Sequence, residues 1–433
     1  MMIQGDLSFT EEKQITEGYK KTAIGLIPND WTIQKLGELF EPSITRMKLK
    51  SDDSVAFVGM QDVSESAQLI TQKVVKFHEV KSGFTFFGKG DVLVAKITPC
   101  FENGKGCITD NLITDVGFGS TEFHVLRANQ NSISKFIYYW TVNSTFRNKL
   151  ELDMVGSAGH RRVPLSSIQN YLIPLPATQA EQQKIATALS DTDALISELE
   201  KLIEKKQAIK IATMQQLLTG KTRLPEFALR EDGMPKAYKD SELGQIPEDW
   251  EIKQLGEFVE ITSGESPSKF DFVNNGIPYF KVEQLNNGNF YAQSTPYYVK
   301  LGKTISAGSL VFPKRGASIL SNKIRILKVD ACMDTNLMAL TCDPELNPNY
   351  LLYALTYSGL DKVADTTSIP QINNKHVLPY KIFYPSLIEQ VRISNILVNL
   401  ENDIELSEQK VEKLRKIKLG MMQGLLTGKT RLV

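Results

Sequence analysis

The sequence predicts an α+β protein written twice. Two similar α+β domains are separated by two long helices, which pair as an antiparallel coiled coil about a pseudo-two-fold axis and make the chain quasi-circular. Three observations predict this. The octet LLTGKTRL stands at 217–224 and again at 425–432. The block YKKTAIGLIPNDWTIQKLGELFE at 19–41 returns as YKDSELGQIPEDWEIKQLGEFVE at 238–260. An apolar heptad-like pattern runs up to each octet.

The GKT inside each octet is not a nucleotide loop. A phosphate-cradling loop needs a glycine five residues before its Gly-Lys pair and a strand upstream, so that backbone N–H groups and a helix N-terminus face the phosphates. Gln215 and Gln423 occupy those positions, and helical patterns lie upstream. Gly220 and Gly428 read instead as residues just past a helix end. Glycine tolerates positive φ there, and a neighbouring lysine suits the negative end of the helix dipole.

Bulk properties set the class. The chain has 433 residues, 42% hydrophobic and 23% charged, enough for two or three ordinary globular domains. No apolar run is long enough to span a membrane, and the polar N-terminus resembles neither a signal nor a transit peptide, so a cytoplasmic location is expected. Cys100, Cys107, Cys332 and Cys342 form no C-x-x-C pair, and the 4 histidines show no ligand spacing, so neither structural zinc nor disulfides are expected. With 50 basic and 50 acidic residues the chain is not a globally basic nucleic-acid binder. Local basic faces remain open, and those are what DNA contact requires.

Within each copy, Tyr19, Gly25, Ile27, Pro28, Trp31 and Leu36 recur as Tyr238, Gly244, Ile246, Pro247, Trp250 and Leu255. GDVLVAKI at 90–97 matches GSLVFPKR at 308–315, and STEFHVL at 120–126 falls where DTNLMAL stands at 334–340. Alternating runs such as SVAFVGM and GDVLVAKI predict short strands between turn-rich pieces. Each copy also predicts one helix, over 133–152 and 347–364, followed by a proline-spaced exit, IPLPATQAEQQ or FYPSLIEQV. Trp31, Trp250, Phe136 and Tyr350 recur in apolar surroundings and are expected in the core.

From Glu181 and Glu389 onward, apolar residues recur at spacings of four and three. The expected seam is Ile185, Leu189, Ile196, Leu199, Ile203 and Leu217 on the first helix, and Ile393, Leu397, Leu400, Ile404, Val411, Leu414 and Leu425 on the second. Thr192, Lys206, Lys210, Ser407 and Lys418 interrupt it, so each seam is weak alone and the helices should pair with each other and with a partner. Roughly 38 residues of helix reach about 57 Å. A two-fold axis perpendicular to them makes the helices antiparallel and brings the chain's end near its start. The repeated octet then marks the same joint twice. The boundaries read 1–175 for the first domain (1–18 being an extension without counterpart, disordered or partner-binding), 176–224 for the first helix, 225–384 for linker and second domain, and 385–433 for the second helix.

This order of pieces, YKDSELGQIPEDW, GDVLVAKI with GSLVFPKRGASI, IPLPATQAEQQKIA and a closing LLTGKTRL, resembles the specificity (S) subunit of type I restriction-modification enzymes over nearly the whole chain. The resemblance implies that each domain is a target-recognition domain reading one half of a bipartite double-stranded DNA site. It implies that the helices set the spacing and dock two methyltransferase (M) subunits. Those would carry S-adenosylmethionine, and two restriction (R) subunits would bring ATP and magnesium, leaving this chain without a cofactor of its own. The residues agree. An adenine-N6 methyltransferase needs a [DNS]-P-P-[YF] loop. The nearest approach, NPNY at 347–350, has Asn349 for the second proline and opens a predicted helix, where Asn347 caps and Pro348 fits the first turn. No catalytic triad, nuclease carboxylate cluster or metal set is legible.

Base readout wants Arg, Lys, Asn and Gln on loops, with phosphate contacts beside them. In the first domain the candidates are Lys96, Thr98 and Lys105, then Ser157, His160, Arg161 and Arg162 in GSAGHRR. In the second they are Lys314, Arg315, Ser318, Asn322, Lys323 and Arg325, then Thr367, Ser368, Gln371 and Asn373, with Gln371 in the place of Arg162. A solvated or acid-paired surface is the competing reading of the paired arginines. At the level of the whole chain the competitor is a coiled-coil adaptor that holds proteins and reads no DNA. Matched polar loops in both domains favour the reader, since a scaffold has no use for them. An enzyme with an unrecognised site is the weakest alternative.

Overall fold

The computed structural model describes residues 17–157, 159–286, 290–365 and 369–432. Residues 1–16 of the N-terminal extension lie outside the described residues. The chain forms two compact units. One joins the residues up to Leu199 to those from Lys410 onward, and the other is Glu200–Gln409. Each unit therefore holds one α+β domain, the start of the long helix that follows it, and the end of the other long helix.

The repeated blocks fold alike. Strands Tyr19–Thr22 and Gly25–Pro28 make an antiparallel hairpin with Tyr19 opposite Pro28, and Tyr238–Ser241 and Gly244–Pro247 make its copy with Tyr238 opposite Pro247. Thr32–Lys35 then pairs with Leu172–Leu175, and Glu251–Gln254 pairs with Lys381–Tyr384, so each domain is closed by its own first and last segments. Between these ends the domains differ. The first has a three-stranded sheet around Val92–Ala95 and a four-stranded sheet in which Ser54–Val58 runs parallel to Val116–Gly119. The second has a five-stranded sheet around Leu310–Pro313 and Leu337–Cys342, and a four-stranded sheet of two- to four-residue strands.

The single helix expected over 133–152 is two helices, Ser134–Thr141 and Ser144–Glu151. Asn143 breaks the run because its side chain accepts from Thr145 N and Phe146 N, an N-cap that outcompetes helical continuation. The expected helix over 347–364 covers Pro348–Ser358 and gives way at Gly359, whose φ is +81°, to a short 3₁₀ turn. At its start Asn347 caps Tyr350 N and Pro348 takes the first turn. Trp31 and Trp250 are buried, as are Phe136 and Tyr350. Trp31 and Phe136 share a core with Ile185, Leu189, Met422, Leu425 and Leu426. Trp250 and Tyr350 share one with Met214, Leu217, Leu218, Ile393 and Leu397.

The long helices span Gln179–Leu218 and Leu387–Leu425. Every seam residue named from the sequence is buried or half-buried, while Leu195, Leu202, Ile209 and Leu406, off the seam, are exposed. The interruptions are used. In the first unit Thr192 donates to Met421 Sδ, and Lys418 pairs with Asp193. In the second, Lys206 reaches Asp403 at 2.9 Å and Ser407 at 3.0 Å, and Lys210 pairs with Glu401. Partner numbers fall as residue numbers rise, so within each unit the two helices run antiparallel. The lysines suit a helix seam because their aliphatic stems pack while their ammonium groups reach a carboxylate at the rim.

Each octet ends its helix in the same way. Gly220 and Gly428 have φ of +69° and +73°, and a Cβ at either would lie 2.5 Å from Cδ of Pro247 or Pro28. Both the conformation and the close approach demand glycine. The hydroxyl of Tyr238 donates to the carbonyl of Gly220, and that of Tyr19 to the carbonyl of Gly428. Arg223 forks onto Asp249 and Glu389, while Trp250 Nε1 donates to Glu389. Arg431 forks onto Asp30 and Glu181, while Trp31 Nε1 donates to Glu181. The second octet thus seats on the first domain with the bonds the first octet makes to the second domain, which is the quasi-circular joint expected from the repeat.

Candidate nucleic-acid interface

The loop candidates of the first domain are gathered by a backbone frame. Beyond the strand Val92–Ala95, Lys96 N donates to Glu122 O at 2.9 Å and Lys96 O accepts from Val163 N at 2.9 Å. Thr98 N donates to Arg161 O at 2.9 Å, and Arg162 forms bridges to both Ile97 and Val155. Three segments distant in sequence are therefore laced together, and they bring Lys96, Thr98, Arg161 and Arg162 to one place.

The side chains there form an acid-base network. Arg162 Nε and Nη2 each donate to a Glu122 carboxylate oxygen at 2.9 Å, and Nη1 donates to His160 O at 3.3 Å. The Arg162 guanidinium, helped by the charge at Lys96, holds the Glu122 carboxyl below its ordinary value. Thr98 Oγ1 donates to Glu102 Oε1 at 2.7 Å, and Arg161 reaches the same oxygen at 3.3 Å. His124 Nε2 donates to Val163 O at 2.8 Å, and burial keeps that imidazole below its usual value and so neutral at pH 7. Lys105 adjoins the frame through its carbonyl, which accepts from Ala95 N at 3.1 Å, but its ammonium is bound to Met60 O at 3.1 Å. Ser157 and His160 are exposed on the loop leading into the frame.

The second domain repeats the frame. Lys314 N donates to Asn336 O at 2.8 Å, Lys314 O accepts from Ile372 N at 2.9 Å, and Gly316 N donates to Pro370 O at 2.8 Å. Gln371 bridges to Arg315 and Asp365, as Arg162 does to Ile97 and Val155. Gln371 occupies the structural position of Arg162, which the sequence register implied. Glu122, Thr98 and Arg161 become Asn336, Gly316 and Pro370. Burial draws the Lys314 ammonium below its usual value, with Asp334 acting against it. Arg315 and Gln371 are exposed.

The remaining candidates of this domain lie elsewhere. The amide of Asn322 is spent inside the fold: its Nδ2 donates to the carbonyls of Leu355 and Thr356, and its Oδ1 accepts from Leu360 N. It closes the end of a helix and sits at φ +44°, which asparagine tolerates better than most residues. Lys323 binds Asn286, and Arg325 is half-buried with Glu401 among the charges it feels. Ser318 lies in the turn Ala317–Ser321, and Asn373 precedes the short helix Asn374–Val377. Thr367 and Ser368 lie outside the described residues. Among the described residues no group of His, Cys, Asp or Glu is arranged to hold a metal ion, and no helix is long and apolar enough to cross a membrane.

Sequence reasoning missed Glu122 and Glu102, which orient the arginines, and Glu181 and Glu389, which receive the tryptophan N–H groups. The last two carried a signal: each stands at the same place in the pattern that opens its helix. Glu122 carried none, since its partner is far away in sequence.

Two α+β domains with one shared framework, each closed by its own first and last segments and each seated on an equivalent helix end, define a tandem-repeat protein. The family model described as type I restriction modification DNA specificity domain matches residues 28–210 and 247–416, and the chain belongs to that family. The chain is similar to the type I restriction enzyme MjaIX specificity subunit of Methanocaldococcus jannaschii, 25% identical over 445 residues, covering 95% of this chain and 96% of the relative. It is also similar to the EcoEI specificity subunit of Escherichia coli, 35% identical over 176 residues, or 40% of this chain and 30% of the relative. Among solved structures, the type I restriction-modification S subunit from M. genitalium shares the fold, with a TM-score of 0.56 at 17% identity over 92% of this chain and 96% of that one.

Proposed function

We propose that this chain is the non-catalytic DNA reader of a type I restriction-modification complex. Each domain reads one half of a bipartite, asymmetric site in double-stranded DNA. The long helices pair as a coiled coil, set the half-site spacing and dock two methyltransferase subunits, which supply S-adenosylmethionine. Two restriction subunits supply ATP- and magnesium-dependent cleavage. The complex works in a prokaryotic cytoplasm.

The observation that carries this reading is the duplicated frame. The same backbone bonds recur around Lys96 and Lys314, yet the exposed polar side chains on them differ. A scaffold for two identical partners has no need of that difference. A reader of two different half-sites does, because arginine matches guanine and glutamine matches adenine in the major groove. The test is to co-express the chain with its methyltransferase subunit in a methylation-free host and map N6-methyladenine across the genome, with the methyltransferase alone as control. One bipartite motif with a fixed degenerate gap, present only with this chain, is the expected result. A correctly assembled complex that leaves no motif overturns the reading.

A further inference from the structure

The frame also says which side chains distinguish the two halves. Arg162 and Gln371 stand at one structural position, and Glu122 and Asn336 stand beside them at another. The Arg162–Glu122 pair is bidentate and accessible, with side chains 44% and 24% exposed. Glu122 takes the side edge of the guanidinium, Nε and Nη2, and His160 O takes one N–H of Nη1. A guanidinium carries five N–H donors, so one remains on each of Nη1 and Nη2. A fork of two adjacent donors is what guanine O6 and N7 accept. In the second domain the same place holds an exposed neutral amide, Gln371, which offers one donor and one acceptor, the match to adenine N7 and N6. Asn336, whose Nδ2 donates to Asp334 at 2.7 Å, takes the position of the clamping carboxylate. A neutral amide needs no counter-charge, so exchange of Glu122 for Asn336 accompanies exchange of Arg162 for Gln371.

We propose that Arg162 reads a guanine in the first half-site with Glu122 as its positioning residue, and that Gln371 reads an adenine at the equivalent place in the second. This rests on the DNA-reading function proposed above. It would make these two positions a transferable specificity element.

The test is selection of bound sequences from a randomised bipartite library by the full chain in complex with its methyltransferase subunit. Wild type is compared with Arg162→Gln, Glu122→Gln, and the reciprocal Gln371→Arg with Asn336→Glu. Wild-type enrichment of a bipartite motif establishes the reader independently of any variant. Given that, Arg162→Gln should lower the preference for one guanine in the first half by about five- to 150-fold, the range of one bidentate base contact, and leave the second half unchanged. Glu122→Gln should relax the same position and no other. The reciprocal pair should move one position of the second half toward guanine. Because preference is read as a ratio among bound sequences, weakened binding does not hide the answer. If Arg162→Gln lowers affinity uniformly with every base preference intact, Arg162 contacts phosphate and the proposal fails. It fails equally if the Glu122 variant relaxes a different position from the Arg162 variant, or if the reciprocal pair leaves the second half unaltered. A wild-type complex that enriches no sequence would instead remove the reading on which the proposal rests.

Discussion

Arg431 lies 401 residues from Asp30 along the chain, yet its Nη1 and Nη2 meet the two oxygens of that carboxylate at 2.9 and 3.0 Å. Arg223 makes the same bidentate bond to Asp249 only 26 residues ahead. One joint closes the chain onto its start, and the other connects consecutive segments. They differ in burial. Arg223 and Glu389 are 5% and 2% exposed, against 39% and 11% for Arg431 and Glu181.

That difference predicts unequal costs. Arg223→Ala leaves the Glu389 carboxylate buried with only the Trp250 N–H, a loss of about 3–5 kcal/mol. Arg431→Ala leaves Glu181 nearer to water and should cost less, about 1.5–3 kcal/mol, the range for a charge-assisted hydrogen bond. Chemical denaturation of both variants checks the order. Equal losses would show that burial does not set the energy of the joint.

Two glycines near the end of the second long helix, Gly420 inside it and Gly428 just past it, should respond to alanine with opposite signs. Gly420 is helical with open space around it, so Gly420→Ala should stabilise by roughly 0.5–1 kcal/mol. Gly428→Ala meets a left-handed φ and a Pro28 contact at 2.5 Å, and should destabilise by more than the roughly 1–2 kcal/mol of the conformation alone. Thermal unfolding of the two variants reads the signs directly.

In the helix seam, Leu397→Ala should cost about 2–5 kcal/mol, while Leu406→Ala, at a site 55% exposed, should stay within about 0.5 kcal/mol. Lys210→Met should destabilise by stranding Glu401, and adding Glu401→Leu should recover most of the loss. A double variant no better than the single would mean that the two residues are not energetically coupled.

The joint of the second domain should weaken in acid. Burial pushes the Asp249 carboxyl up, but its bonds to Arg223 and Lys236 outweigh this and leave it below its ordinary value of 3.8. A carboxyl depressed in the folded state stabilises above its ordinary value and loses that contribution as pH falls through the lower, folded one. Asp249→Asn should therefore be less stable than wild type near neutrality, with the gap closing below about pH 4. A gap constant between neutral and acidic pH would exclude the linkage.

Much of the architecture was legible because it is written in local code twice. The octets, the IP-x-DW blocks and the seam spacing each have a counterpart to check against, and Gly220 and Gly428 announce their helix ends by residue type. The interface was less legible. Arg162 and Gln371 could be aligned by the repeat, but Glu122 could not be joined to Arg162 because nothing local encodes a contact between residues 40 apart. Asn322 drew notice as a polar loop residue among basic neighbours, while its amide satisfies three backbone groups of a helix end and of the residue beyond it. Composition marks a donor without saying whether the fold has already used it. The same limit hid the helix break at Asn143, where a cap and a mid-helix polar residue look alike in a periodic apolar run.

The frame around Lys96 and Lys314 is built from main-chain atoms. Its donors are the N–H groups of Lys96, Thr98 and Val163 in one domain and of Lys314, Gly316 and Ile372 in the other. Pro370 serves as an acceptor, the one role in such a bond that proline can fill. Side chains on such a frame are free to change without loosening it, provided no donor becomes proline. Stability and meaning are thereby carried by different atoms. A lineage can drift from one recognised sequence to another by single substitutions, each arriving in a chain that still folds.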